Sequence, residues 1–308
     1  MGARAVIIDC DPGQDDAVAL LLAFASPAEI DVRAVTTVAG NVPLVLTAAN
    51  ARRICELAGR GDVAVYAGCP RPILKPLGTA AHVHGASGLD GADLPAPTMP
   101  LAPGHAVDAL VERLMACDGG VTLATLGPLT NVALAIVKEP AIVPRMREIV
   151  VMGGALGPGN VTPAAEFNVY TDPHAAAVVF SCGAPLTMIG LDVTRRAIAT
   201  PGRVAAIGAI DRPPAAAVAG MLSLHLGRDV DRPGVAGAAL HDPCVVAYLL
   251  RPELFETRAM PISIETADPE TLGQTRAGGA GESANANVAT AIDDDGFFAL
   301  LTQRLARL

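Results

Sequence analysis

The residues best equipped for chemistry lie at the start of the chain, in Asp9-Cys10-Asp11-Pro12-Gly13-Gln14-Asp15-Asp16-Ala17. Four carboxylates (Asp9, Asp11, Asp15 and Asp16) crowd into this one stretch. Like charges this close repel one another unless something positive lies between them. Asp15 or Asp16 can cap a following helix, but capping uses one carboxylate and leaves the others without a counter-charge. A divalent cation is the simplest neutraliser, and an all-oxygen ligand set favours calcium or magnesium over zinc.

Other polar residues stand apart from the apolar runs: Asn41 after Gly40, His82 and His84 in His82-Val83-His84-Gly85, Asn160, and His241-Asp242-Pro243. Glu166 and Asn168, two positions apart, would share a face if extended. Each also has a plain structural reading. Asn41 and Asn160 suit turns, Asn131 suits a helix start, His241 suits a helix cap, His84 suits a structural role and Met152 suits a core.

The elements that must position these residues alternate along the chain. Ala5 to Ile8 reads as a strand, Ala17 to Ala25 as a helix and Ile30 to Val38 as a strand. Pro43 opens a helix to about Gly59, and Val63 to Ala67 is a third strand. A long Gly/Pro-rich connection, 68–104, carries His82. Further strands are expected at Val121 to Leu126, Glu148 to Met152, Leu186 to Leu191, about Met260 to Glu265, and Asn287 to Asp293. Helices are expected at Ala106 to Cys117, Asn131 to Lys138, Pro173 to Cys182, through much of 201–250, and from Gly296 onward. The alternation predicts an α/β fold: a single domain over residues 1–308 with an open, mainly parallel, Rossmann-like sheet and helices on both faces. The aspartate turn, Asn41, Gly127 to Asn131, Gly153-Gly154 and Asp192 all follow strand C-terminal ends, the edge where open α/β sheets bind ligands.

Composition narrows the partners. The formal net charge of -9 argues against a nucleic-acid backbone but not against single nucleosides. At 51% hydrophobic residues the chain can fill a core, and no apolar run reaches membrane-spanning length without a charge, Gly or Pro. The N-terminus enters a strand almost at once, without a signal-peptide pattern. Cysteines 10, 55, 69, 117, 182 and 244 form no CxxC pair, which predicts reduced thiols in a cytoplasm.

The chain resembles the inosine-uridine-preferring nucleoside hydrolase family. The resemblance is carried by Asp9 to Leu20, Thr36-Thr37-Val38-Ala39-Gly40-Asn41, Leu126-Gly127-Pro128-Leu129-Thr130-Asn131, Met152-Gly153-Gly154, Ala165-Glu166-Phe167-Asn168, Asp172-Pro173 and His241-Asp242-Pro243, in that order. It implies a bound calcium ion, hydrolysis of the N-glycosidic bond of ribonucleosides, and a homodimer or homotetramer. By position, Asp11, Asp16 and Asp242 would ligate calcium together with the Leu126 carbonyl, and Asp11 would also take the proton of the attacking water. Asp15, Asn41, Asn160, Glu166 and Asn168 would hold the ribose hydroxyls. His241 would assist departure of the base, with His82 near it.

These residue types suit that reaction. An oxocarbenium-like ribosyl cation needs acceptors around it, water needs activation by a cation and a carboxylate, and the leaving base needs a proton in the range histidine covers. Against that resemblance, the absence of Trp removes the indole stacking used by purine-specific relatives, and the expectation is pyrimidine or mixed ribonucleosides. Ser223 to Ala239 has no Tyr, where pyrimidine or broad-specificity relatives tend to carry one, which leaves the leaving-group acid open. His82, His225, Arg228 and His241 remain candidates for the leaving-group acid. Two alternatives stay open: a haloacid-dehalogenase-like magnesium phosphatase, for which only Lys75 and Lys138 could supply the required lysine, and a non-catalytic nucleoside or ribose binder.

Overall fold

The computed structural model describes residues 2–117, 120–224, 226, 237–279 and 281–308. Its frame is an eight-stranded sheet in the order β3-β2-β1-β4-β5-β6-β12-β9. These strands are β1 (Arg4–Cys10), β2 (Ile30–Thr37), β3 (Val65–Ala67), β4 (Val121–Thr125), β5 (Met146–Met152), β6 (Leu186–Ile189), β9 (Phe255–Met260) and β12 (Ala286–Ile292). Neighbours pair in parallel except β9, which runs antiparallel to β12 at the edge. Two ribbons lie outside this sheet: β7 (Ile198–Ala199) with β8 (Ala238–Ala239), and β10 (Ile262–Ile264) with β11 (Thr275–Ala277).

Side-chain alternation along β1 divides the core. Val6, Ile8 and Cys10 point into one apolar cluster and Ile7 into the other. The first cluster is covered by α1 (Gln14–Phe24), α2 (Leu44–Leu57), α9 (Pro201–Gly208), α10 (Pro213–Ser223), α11 (Pro243–Leu250) and α12 (Asp294–Leu305). The second is covered by α4 (Ala106–Met115), α5 (Thr130–Lys138) and α7 (Pro173–Phe180). Short helices α3 (Ala81–His84), α6 (Phe167–Thr171) and α8 (Leu191–Thr194) sit in the loops. Helix α1 buries every residue but Asp15, because it packs against the sheet as well as α2, α10, α11 and α12. Its unbroken Ala/Val/Leu run meets that need.

The expected strand at about Met260 to Glu265 divides in two. Pro261 has no N–H to continue the ladder, so β9 stops at Met260 and β10 leaves the sheet to pair with β11. The connection 68–104 is irregular apart from α3, as its Gly and Pro content predicts.

Chain order reverses between β1 and β4, where α1 leaves toward one neighbour and the later strands continue on the other side. The crevice at such a reversal is the natural ligand site of an open α/β sheet. The turns after β1, β2, β4 and β5 all open there.

Candidate functional site

The turn after β1 folds around Asp16. Gly13 caps α1, and its N–H donates to Asp16 Oδ2 at 2.9 Å, while the Asp11 N–H donates to Oδ1 at 3.2 Å. Asp16 thus satisfies donors that the helix start leaves open. Asn41, delivered by the turn after β2, joins the same cluster. Its N–H donates to Asp11 Oδ2 at 2.6 Å, and its amide donates to Asp16 Oδ2 at 3.1 Å and to the Asp11 carbonyl at 3.3 Å. Asn41 is therefore more than a turn residue.

Asp242 enters from the start of α11. Pro243 occupies the first turn of that helix, and the Asp242 carboxylate makes no capping bond there. It contacts Asp16 instead. Oxygens of Asp15, Asp16 and Asp242 lie within 4.8 Å of one another, which is spacing that one cation can span. Asp11 and Asp16 are fully buried and Asp242 nearly so. Burial first, then the neighbouring carboxylates, pushes Asp11 and Asp242 well above the usual carboxylate range. Burial, then the charge of Asp15, pushes Asp16 up to about 7.

Asp11 Oδ1 is buried and has no hydrogen-bond partner among the described residues. Its carboxylate lies between two glycines: a Cβ on Gly40 would fall 2.1 Å from Oδ2, and one on Gly127 would fall 2.3 Å from Oδ1. Neither position admits a side chain while the carboxylate stays in place. An orphaned buried oxygen beside three clustered carboxylates fits an oxygen-ligated divalent cation, which would supply both the missing partner and the missing charge.

Asp9 does not join this group. It lies on the Ile7 face of β1, where Oδ1 accepts from Thr36 Oγ1 at 2.5 Å and Asn131 Nδ2 at 2.8 Å, and Oδ2 has no partner. Asn131 lies just after the start of α5, as read from the sequence, but it is also a buried tie: it donates to the Thr37 carbonyl and accepts from the Cys69 N–H. Burial pushes Asp9 from 3.8 up to about 7. The unfolded group ionises near its ordinary value while the folded one holds its proton, so this group's contribution to stability falls as pH rises through that interval. Asp9→Asn keeps an acceptor for Thr36 and Asn131 and cannot ionise. Urea unfolding from about pH 4 to pH 8 should show its stability advantage over wild type growing with pH. A constant difference across that range would remove Asp9 as the titrating group.

A cavity of about 860 Å³ opens from the carboxylates, within the range of small-molecule sites. Asp15, Asn41, Asn160, Glu166 and Asn168 line it, as do His82, His241, Asp242 and Leu126. Every sequence-derived site residue except Asp11 and Asp16 thus faces this space, and those two lie buried beneath it. Glu166 is held firmly: it caps α6, accepting from the N–H groups of Asn168 at 2.8 Å, Val169 at 3.0 Å and Gly154 at 3.0 Å. Burial raises its carboxyl in spite of these bonds. Asn168 donates to the Leu126 carbonyl at 2.7 Å, so it orients that oxygen beside the carboxylates. Asn160 is exposed at the rim, accepting from the Phe167 N–H at 2.9 Å.

His82 lies exposed on α3. His241 is half-buried, with Nδ1 2.7 Å from Thr194 Oγ1. His225 and Arg228 lie outside the described residues. Among the lining residues with no site role in the sequence reading, three stand out. His84 Nδ1 accepts from the Gln14 N–H at 3.4 Å, although it reads as structural in the sequence. Lys75 sits over the Tyr170 ring, 3.1 Å from its centre, and donates to the Tyr170 carbonyl. Met152 belongs to the core and also lines the cavity. Met152 and His84 stand in stretches the sequence singles out, but which way their side chains turn is set only by the fold, and nothing local marks Lys75.

Similarity to known proteins agrees with this geometry. A sequence model described as "Inosine-uridine preferring nucleoside hydrolase" matches residues 6–299. The chain is 45% identical over 308 residues to the pyrimidine-specific ribonucleoside hydrolase RihA of Shewanella sp. strain ANA-3, covering 99% of this chain and 96% of that one. It is 40% identical over 306 residues to the pyrimidine-specific ribonucleoside hydrolase RihB of Escherichia coli O139:H28, covering 98% and 97%. Among solved structures, the purine-preferring ribonucleoside hydrolase from Gardnerella vaginalis superposes with a TM-score of 0.92 at 30% identity, covering 98% of each chain. A plant nucleoside hydrolase, PpNRh1, gives the same TM-score of 0.92 and the same 30% identity, covering 98% and 99%.

Proposed function

Because the chain belongs to the inosine-uridine-preferring nucleoside hydrolase family, and so is a ribonucleoside hydrolase, we propose that it is a calcium-dependent enzyme acting preferentially on pyrimidine ribonucleosides. The observation that carries the metal assignment is the orphaned, buried Asp11 Oδ1 beside the Asp15, Asp16 and Asp242 cluster. We assign the ligands as the carboxylates of Asp11, Asp16 and Asp242 and the Leu126 carbonyl, which Asn168 orients. Asp15, the most exposed carboxylate of the group, is left for the sugar.

When bound, calcium supplies the counter-charge for these carboxylates and acidifies water beside it. Asp11 takes the proton of the attacking water as that oxygen bonds to the anomeric carbon. The carbon–nitrogen bond breaks, its electron pair goes to the base, and the base gains a proton from His241 or His82. Asp15, Asn41, Asn160, Glu166 and Asn168 pair with the ribose hydroxyls, and the carboxylates among them favour the positive sugar ring.

The base preference rests on the two pyrimidine-specific relatives and on the absence of Trp for stacking on a purine. Measured kcat/KM should be at least about tenfold higher for uridine and cytidine than for inosine and adenosine. Higher values for the purines would reverse the assignment. We further propose a homodimer or homotetramer, and a cytoplasmic location in keeping with the free state of all six cysteines. No helix of the described residues is long and apolar enough to cross a membrane.

A further inference from the structure

Helix α8 is only four residues long, yet it and the residue after it are bonded to two segments that line the cavity, the one ending at Asn160 and the one carrying His241. Its Asp192 carboxylate accepts from the N–H groups of Leu156 at 2.8 Å and Gly157 at 2.9 Å. Arg195, directly after the helix, donates to the carbonyls of Pro158 at 2.7 Å and Gly159 at 2.6 Å. These four bonds hold the loop that ends at Asn160, on the sugar side. On the other side, buried Thr194 places Oγ1 2.7 Å from His241 Nδ1. The chain leading to His241 is fastened to the same place: β8 pairs with β7, and the Leu240 N–H donates to the Ala197 carbonyl at 2.9 Å.

We propose that α8 is a positioning bracket, in which Thr194 orients the His241 imidazole and Asp192 with Arg195 fixes the 156–160 loop, so that the base end and the sugar end of the cavity are referenced to one rigid turn. None of the three touches substrate; they act through His241 and Asn160. The hydrogen bond between Thr194 Oγ1 and His241 Nδ1 holds the orientation of the ring and leaves Nε2, at its opposite edge, as the nitrogen that can serve the leaving base. Without the hydroxyl, that hydrogen bond is lost and the orientation it sets is relaxed. The charged anchors on the loop are matched to what they hold, a carboxylate to N–H groups and a guanidinium to carbonyls.

This inference rests on the assignment of His241 to the leaving base, so its test includes His241→Ala. The measurements are kcat and KM on uridine and on p-nitrophenyl riboside, whose leaving group needs no proton. Thr194→Val preserves shape and removes the hydroxyl; it should lower kcat on uridine about tenfold and leave p-nitrophenyl riboside nearly unchanged. Thr194→Ser should recover most of the loss. Asp192→Ala should raise KM several-fold on both substrates, since both carry ribose. Equal losses on both substrates in Thr194→Val, no recovery in Thr194→Ser, or an unchanged KM in Asp192→Ala would overturn the bracket. If His241→Ala also affects both substrates equally, the assignment of His241 fails as well. If His241→Ala is selective for uridine and Thr194→Val is not, the bracket alone fails.

Discussion

Asp11→Ala should lose turnover by about a thousandfold or more, the combined effect of removing a general base and a ligand of the activating cation. Asp11 is fully buried, its Oδ2 receives the Asn41 N–H, and its Oδ1 has no partner among the described residues. Gly40 and Gly127 approach so closely that no adjacent side chain fills the space it leaves. Asp11→Asn separates the two roles from folding, because its amide oxygen can still accept from Asn41 while the group can neither take a proton nor carry charge. Ribose release should fall to a similar degree in both variants, with the unfolding midpoint of Asp11→Asn near wild type. Near-normal rates in either would refute the assignment.

His241→Ala should reduce hydrolysis of natural nucleosides by about a hundredfold or more while sparing p-nitrophenyl riboside to within a few-fold. A natural pyrimidine leaves poorly as an anion, so removing a proton donor raises that barrier, whereas p-nitrophenolate leaves without one. His82 also lines the cavity but sits exposed on a short helix, and among the described residues no buried partner such as Thr194 orients it. We therefore propose His241 as the principal donor. Equal losses on both substrates would move the role to His82.

Much of this site can be read directly from the chain. The density of carboxylates in the turn and first turn of α1 points to a cation site because repulsion at that spacing demands a counter-charge. The strand-helix alternation predicts a parallel sheet, and with it the convergence of the aspartate turn and Asn41 at one edge; Leu126, Glu166 and Asn168 are legible only through the family resemblance. What cannot be read is direction and distance. Asp9 belongs to the same motif as Asp11 but sits within β1 on its Ile7 face, whereas Asp11 lies past the strand's end at Cys10 and is turned toward Asp16 and Asn41. Thr194 and His241 are far apart in sequence and meet because the β7–β8 ribbon joins their segments. His84 and Lys75 lie in the irregular 68–104 connection, where no periodicity indicates which side chains turn inward.

The central claim is that a calcium ion in the carboxylate cradle is required for ribonucleoside hydrolysis. Its most direct test is ribose release from uridine by protein stripped with a chelator, measured before and after calcium is restored. The account predicts negligible release from the stripped protein and full recovery on adding calcium, with no recovery in Asp16→Ala or Asp242→Ala. Undiminished release from the stripped protein would contradict it.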